Sequence, residues 1–176
     1  MVQTTHFKRR RISLCDKIRI SLAYRELETI PRRILKNVSS EIEILDLSYN
    51  GLVDLSFLIN FPKLKTLILD RNFKLDYRSF PDMFFLEILW INNCNIIDIR
   101  NWLKTLQLCA PNIKELSMMC NPVGSTVLNG VTQEEENLYR VEVIRLLPNL
   151  KLFDGVPFTG QQKKLAFQKK IWKLWF

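Results

Sequence analysis

One spacing of apolar residues recurs along this chain and limits what it can fold into. In "EIEILDLSYNGL", residues 41–52, apolar side chains stand at Ile42, Leu45, Leu47 and Leu52, with Asn50 before the last. The spacing returns in "LKTLILDRNFKL", "LEILWINNCNII" and "IKELSMMCNPV". A weaker copy, "IRISLAYRELETIP", precedes them, and "LPNLKLFDG" resembles a truncated last copy. One copy cannot bury its own apolar residues, so the copies must stack.

The asparagine position of each copy gives the length of the repeat. It is occupied by Arg25, Asn50, Asn72, Cys94 and Asn121, at spacings of 25, 22, 22 and 27 residues. The pattern LxxLxLxxNxL at this length is typical of leucine-rich repeats. We therefore predict an α/β leucine-rich-repeat solenoid, with a curved parallel sheet on the concave side and short helices and turns on the convex side.

The asparagine position is expected to be structural. An amide there can satisfy backbone groups inside the turn, and a buried amide without partners would cost about 1–3 kcal/mol. We predict a structural ladder of Asn50, Asn72, Cys94 and Asn121. Cys94 can fill the position because a thiol is small and a weak donor. We interpret it as structural in preference to a redox or catalytic thiol.

Two longer inserts predict helices on the convex side. Residues 98–112 place four residues on one face: Trp102, Leu103, Leu106 and Cys109. Residues 132–149 start with Thr132 and a run of acids, which favours a helix start. Their predicted apolar stripe is Leu138, Val141, Ile144 and Leu147.

The basic residues are concentrated at the two ends. Residues 1–20 carry six Lys or Arg and one acid, and residues 161–176 carry five Lys and no acid, within a net charge of +8. We predict a basic N-terminal extension at 1–15, a repeat domain at 16–158 with a C-terminal cap at 132–158, and a basic amphipathic helix at 159–176. "HFKRRR" is either a nuclear signal, a phosphate contact or a solvated end.

The C-terminal helix has two predicted faces. Its apolar face is Phe167, Ile171, Leu174 and Trp175, opposite Lys169, Lys170 and Lys173. Such a helix binds an anionic membrane or a second partner, or packs on the last repeat to shield its edge.

The composition argues against an enzyme and against bound cofactors. His6 is the only histidine, which removes most catalytic triads and metal sites. No phosphate-binding or dinucleotide fingerprint is present. The four cysteines form no CxxC pair, so we expect reduced thiols in a cytosolic or nuclear protein. No apolar run reaches the ~18 residues of a membrane span, and no secretory signal is expected.

Strand residues that alternate with the buried leucines should line the concave face and bind a protein. The predicted partner-binding residues share this outward position and are Ile44, Asp46, Tyr49, Ile68, Asp70, Ile88, Trp90, Asn92 and Met119. An apolar cluster with a charged rim suits protein recognition. The alternative is that a helix of the same chain covers Trp90. We expect a monomer.

The end of the repeat array resembles known proteins. Tyr139–Arg140, Val143–Ile144 and "LPNLKLFD" look like the cap of small leucine-rich-repeat proteins. "NWLKTLQLCAPNIKELSMMCNPV", the acidic stretch "TQEEENLYR" and "LPNLKLFDGVPFTGQQKK" together resemble the leucine-rich melanocyte differentiation-associated protein family, over residues 20–165. The spliceosomal U2 A-prime proteins have a similar cap with a shorter linker before it.

The first resemblance implies a non-enzymatic adaptor in melanosome and lysosome-related organelle biogenesis, cytoplasmic or peripheral on endosomal membranes. Its implied partners are Rab32 and Rab38 GTPases on the repeats and an endosomal recycling assembly on the tail. The second implies a nuclear subunit that grips an RNA-recognition-motif protein, with basic ends that touch RNA. A cytoskeletal or ciliary repeat protein would share the same fold.

Overall fold

The computed structural model of the chain describes residues 19–37, 39–122 and 132–168. Its seven strands form one sheet in chain order, with parallel pairing up to β6 and an antiparallel last pair. The strands are β1 Arg19–Ser21, β2 Ile44–Asp46, β3 Thr66–Ile68, β4 Ile88–Trp90, β5 Glu115–Ser117, β6 Leu152–Phe153 and β7 Val156–Pro157. The predicted α/β leucine-rich-repeat solenoid is confirmed.

The core is a ladder of side chains from the middle of the strands. Leu45 pairs with Leu67, Leu67 with Leu89, and Leu89 with Leu116, and Leu116 is paired in turn with Phe153. All five are almost completely buried. Since side chains alternate across a strand, the residues on either side of this ladder lie on the concave face.

The convex side consists of short helices and 3-10 turns. The α-helices are α1 Arg32–Asn37, α2 Ile99–Cys109, α3 Gln133–Leu146 and α4 Gly160–Ala166. The 3-10 turns are Ser39–Glu41, Ser56–Asn60 and Tyr77–Ser79.

Helix α2 forms where the 27-residue spacing predicts extra structure. It begins after Asp98, whose carboxylate accepts a hydrogen bond from the backbone N–H of Asn101 at 3.0 Å. Trp102, Leu103 and Leu106 are buried and Cys109 is half-buried, so the predicted apolar face is confirmed.

Helix α3 starts as predicted but presents a different face. The Thr132 hydroxyl and the Glu135 carboxylate form a reciprocal capping box at its first turn. Leu138 is 41% exposed, so its place in the predicted stripe was wrong. Arg140 and Val143 are buried in addition to the predicted Val141 and Ile144. The stripe shifts because the helix packs around a buried arginine, which a hydrophobic pattern does not count.

The asparagine side chains connect neighbouring turns of the solenoid. Asn121 donates to the carbonyls of Ile91 at 2.9 Å and Met118 at 2.7 Å, and accepts from the N–H groups of Cys94 at 2.9 Å and Ile96 at 3.0 Å. Each amide therefore satisfies backbone groups of its own turn and of the preceding one.

The other two amides repeat this arrangement. Asn50 accepts from Arg25 and Leu27 of the preceding turn. Asn72 is fully buried, donates to the carbonyls of Leu47 and Leu69, and accepts from the N–H of Leu52.

The C-terminal cap is organised by Arg140, which is only 6% exposed. Its guanidinium donates to the carbonyls of Phe153 at 3.1 Å and Val156 at 2.8 Å, and lies 4.8 Å from the ring centroid of Phe158. It thereby ties α3 to the β6–β7 hairpin that closes the sheet. Burial lowers the pKa of Arg140 from its usual value, and the nearby Asp154 carboxylate opposes that shift.

Helix α4 packs on the cap and is shorter than predicted. It begins after Thr159 with a second capping box, and the buried Gln162 donates to Asn137 of α3 at 3.0 Å. The helix ends at Ala166, and Phe167 is 60% exposed. The prediction of one continuous helix over 159–176 was therefore wrong at this point. The predicted residues Ile171, Leu174 and Trp175 and the three lysines opposite them lie outside the described residues, as does the extension at 1–15.

No helix in the described ranges has the length and apolarity needed to span a bilayer.

We expect Asn72→Ala to lower the free energy of unfolding by about 2–3 kcal/mol, because it leaves two buried carbonyls and one N–H without the amide. Urea denaturation followed by circular dichroism measures this change. Asn60→Ala is the matched control: that amide makes one exposed bond, to the carbonyl of Phe57, and its loss should cost under about 0.5 kcal/mol. Equal losses in the two variants would contradict the ladder.

We expect Arg140→Lys to lower the free energy of unfolding by about 1.5–3 kcal/mol, since an ammonium cannot serve the same set of carbonyls from the position of the guanidinium. Arg100→Lys is the control, because the ion pair that Arg100 makes with a described residue, Glu142, is long, at 3.8 Å. The same denaturation experiment compares them. A cap that tolerates lysine at 140 as well as at 100 would rule out this role.

Candidate functional site

The concave face is built from strand residues in register. The first column is Arg19, Ile44, Thr66, Ile88 and Glu115. The second column is Ser21, Asp46, Ile68, Trp90 and Ser117. Both columns match the register expected from the repeat. At about 4.8 Å per strand, five strands give a face roughly 20 Å across.

The centre of this face is apolar and accessible. Ile44, Ile68 and Ile88 are half-buried, and Trp90 is 36% exposed. The indole Nε1 of Trp90 donates to a carboxylate oxygen of Glu115 at 3.0 Å. The ring is thus held in place while part of its surface remains free. An aromatic side chain fixed in this way is suited to anchor a partner.

One rim of the face is formed by residues in a left-handed backbone conformation. They are the residues before each asparagine position, with φ of 57°, 55°, 58°, 51° and 59° at Tyr24, Tyr49, Arg71, Asn93 and Cys120. Only asparagine among these residue types adopts this conformation readily. The turn imposes it, because each chain segment must leave the sheet at the same angle.

The left-handed rim carries an aromatic stack. The rings of Tyr24 and Tyr49 are 4.0 Å apart and nearly parallel, and the guanidinium of Arg71 lies 5.1 Å from the Tyr49 centroid. Hydrogen bonding to Tyr49 raises the pKa of the Tyr24 phenol. Both tyrosines are exposed. The stack therefore adds an accessible aromatic surface at the edge of the face.

Two predicted site residues also hold the backbone together. Asp70 accepts a hydrogen bond from the N–H of Asn92 at 2.9 Å. Asn92 in turn accepts from the N–H of Met119 at 2.8 Å and from the hydroxyl of Ser117 at 2.7 Å. The side chains of Asp70 and Asn92 thus form a second row of hydrogen-bond acceptors at the ends of the strands. Asn92 therefore has a structural task that the sequence pattern did not reveal.

The other predicted residues lie at the edges of the cluster. Asp46 accepts from the backbone N–H and the hydroxyl of Ser48, at 3.1 and 2.7 Å. Met119 is 44% exposed and Tyr49 40%. All nine predicted partner-binding residues thus lie on one continuous face or its rim. Their role in binding stays a prediction.

Cys94 occupies the ladder position with a thiol. Its Sγ lies 3.2 Å from the carbonyl of Leu69 and 3.4 Å from that of Asn92, and burial raises the pKa of the thiol to about 12. A group that stays protonated and buried is a poor nucleophile. The structural interpretation of Cys94 is the one this environment favours.

Sequence reasoning did not anticipate the buried Arg140 as the centre of the cap, although the Tyr139–Arg140 pair was singled out. The sequence signal for this role was the position of the arginine, one residue before the predicted apolar residue Val141.

The Tyr139 hydroxyl is buried and has no hydrogen-bond partner in the part of the chain that the structure describes. Within the described residues, no group of histidine, cysteine or carboxylate side chains could hold a metal ion.

Two curated proteins are similar to this chain. It is 32% identical to human leucine-rich melanocyte differentiation-associated protein over 113 residues, which are 63% of the chain and 57% of that protein. It is 28% identical to U2 small nuclear ribonucleoprotein A′ of Candida albicans over 154 residues, 84% of the chain and 59% of that protein. The chain thus spans less than two thirds of the length of either relative. No protein-family model matches it.

A solved structure shares the fold. A chain of the Drosophila melanogaster SNF/U2A′ complex matches with a TM-score of 0.55 and 18% identity, over 84% of this chain and 78% of that one. The two resemblances recognised in the sequence are therefore confirmed as similarities, and the solenoid fold is supported independently.

We expect Cys94 to resist alkylation in the folded protein. With a pKa of about 12, only about one thiol in ten thousand is ionised at pH 8, and its burial blocks access. Cys120 is exposed and serves as the internal reference. Iodoacetamide labelling at pH 8 with peptide mapping should modify Cys120 first, and Cys94 only after unfolding in urea. Labelling of both cysteines at the same rate in the native state would contradict the buried position.

Proposed function

We propose that this chain is a non-enzymatic adaptor that binds a protein partner on its concave face. The observation that carries the proposal is the accessible cluster of Ile68, Ile88 and Trp90 in adjacent strands. A solenoid has no need to leave a tryptophan accessible at the centre of its sheet for its own stability. Trp and Tyr are common anchors of protein interfaces, and losing one often costs 2 kcal/mol or more.

For the partner, we propose a small GTPase of the Rab32 or Rab38 type, with a role in membrane trafficking and melanosome or lysosome-related organelle biogenesis. The support is the 32% identity to the human melanocyte differentiation-associated protein. Under this proposal the chain acts in the cytoplasm or at endosomal membranes.

A second candidate is a spliceosomal subunit that grips an RNA-recognition-motif protein in the nucleus. Its support is the similarity to the yeast U2 small nuclear ribonucleoprotein A′ over 84% of the chain. The two candidates use the same face and differ in the partner. A GTPase partner predicts dependence on the bound nucleotide, whereas RNA contact by the basic ends predicts steep dependence on salt.

We further propose that the chain is organised as an extension at 1–15, a repeat domain at 16–158 and a C-terminal segment at 159–176. That segment is a candidate for a second partner or a membrane surface. Lys163 and Lys164 are exposed on α4, while its other side packs on α3 through Gln162.

The test is direct binding with purified components. The full chain is immobilised and exposed to Rab32 or Rab38 loaded with a GTP analogue or GDP, and separately to an RNA-recognition-motif protein of the U2 particle. The binding variant is Ile68→Ala/Trp90→Ala, which removes the anchors without adding charge. The control is Ile59→Ala/Leu108→Ala, which truncates two apolar residues that are 71% and 74% exposed outside the concave face.

We expect the binding variant to weaken affinity at least about thirtyfold, and the control variant to leave it unchanged. Thermal melts show that both variants are folded. Nucleotide-dependent binding of the GTPase supports the first candidate, and binding of the RNA-recognition-motif protein supports the second. Binding that both variants retain equally would overturn the concave-face proposal.

A further inference from the structure

The acidic side chains of the concave face differ from those beside it. On the flank where the strands begin, Glu41 pairs with Lys63 at 2.9 Å, Glu43 with Lys65 at 2.9 Å, and Glu87 with Lys114 at 2.6 Å. On the concave face, three half-buried carboxylates form no ion pair with any described residue: Asp46, Asp70 and Glu115. The solenoid neutralises one row of acids and leaves the other without a counter-charge.

The hydrogen bonds of these carboxylates do not require a negative charge. Asp70 accepts the N–H of Asn92, and Asn92 performs the same task one repeat later, by accepting the N–H of Met119 through a neutral amide. An amide is therefore sufficient at this position of the turn. The structural bond does not explain the charge on Asp70, so the charge is available for another purpose.

Similar reasoning applies to the other two carboxylates. Asp46 accepts from Ser48 and from the hydroxyl of Ser21, which are neutral donors. Glu115 accepts from the indole of Trp90. None of these donors cancels the negative charge. The three carboxylates lie around Ile68 and Trp90. Asp46 pairs with Ile68 in the register, Asp70 follows Ile68 by two residues, and Glu115 accepts the hydrogen bond of the Trp90 indole.

Two described cations lie at the margins of this face. Arg19 stands at the end of the first column, on the edge strand β1, and Arg71 is stacked over Tyr49 on the rim. The apolar centre of the face is thus surrounded by negative charge in a chain whose net charge is +8. A nucleic acid backbone would be repelled from this centre, and a cationic protein surface would be attracted to it.

We infer that the partner presents an apolar side chain flanked by lysine or arginine, with the apolar group against Ile68 and Trp90 and the cations facing Asp46, Asp70 and Glu115. This inference rests on the proposed binding of a protein by the concave face and adds the chemistry of what is bound. Opposite charges at a half-exposed surface contribute modestly to affinity one by one and strongly to selectivity and association rate.

The test selects binding peptides without presupposing their charge. The full chain is used to pan a phage library of random 16-residue peptides, and selected peptides are synthesised and measured by fluorescence anisotropy. The charge variant is Asp46→Asn/Asp70→Asn/Glu115→Gln, which removes three negative charges and keeps one acceptor oxygen on each side chain. The control variant, Glu41→Gln/Glu43→Gln/Glu87→Gln, changes the net charge by the same amount on the ion-paired flank.

We expect the selected peptides to be rich in lysine and arginine beside an aromatic or aliphatic residue. Their affinity should fall about tenfold or more in the charge variant, and change less than about twofold in the flank variant. Peptides that lose binding in Ile68→Ala/Trp90→Ala but not in the charge variant would overturn this inference and leave the proposed function intact. Peptides that bind all variants equally, or a failure to select any peptide, would count against both.

A fourth variant tests whether the chain's own lysine-rich end is the occupant. Lys169→Gln/Lys170→Gln/Lys173→Gln removes three positive charges from that end in the full chain. Peptide affinity that is unchanged in this variant supports an external partner. An increase of about tenfold or more would show that the chain's own end competes for the face, and would overturn the assignment to a partner.

Discussion

The amide ladder is the interaction on which the rest of the structure depends. A solenoid turn ends its strand with backbone groups that the next strand cannot reach, and burial makes those groups costly to leave unpaired. Asn50, Asn72 and Asn121 each satisfy groups of two successive turns at once. Because the amide sets the distance and angle between turns, it also sets the register that brings Ile68 and Trp90 side by side.

The solenoid, its register and helix α2 followed from the sequence because each depends on a short, repeated pattern. Leucines two residues apart in a strand point to the same side of the sheet, and the recurrence of the pattern every 22 to 27 residues aligns one strand with the next. The prediction for α3 was wrong at Leu138 because the helix buries Arg140, and periodicity counts only apolar residues. The helix predicted over 159–176 ends at Ala166, although its apolar spacing continues beyond that point.

The outline of the candidate site was also predictable, since the residues that alternate with buried leucines must face the other way. Its chemistry was not. The turn imposes the left-handed conformation of Tyr24, Tyr49 and Arg71, and tyrosine and arginine are not residue types from which a positive φ would be predicted. The double role of Asn92 depends on the distance to the N–H of Met119, a residue 27 positions away. Contacts of this kind come from the stacking of turns and are invisible within a single copy of the repeat.

Cys94 breaks the amide ladder at one junction. Its thiol offers one weak donor where an amide offers two donors and an acceptor, so the third and fourth strands are joined by fewer strong bonds than their neighbours. In a linear array, stability is a sum of nearest-neighbour terms, and the weakest junction is where partial opening separates the array into two blocks. Ile68 and Trp90 lie on opposite sides of that junction. A partner seated across them would bind only the closed array, so its binding would suppress opening at that place and make the two blocks behave as one cooperative unit.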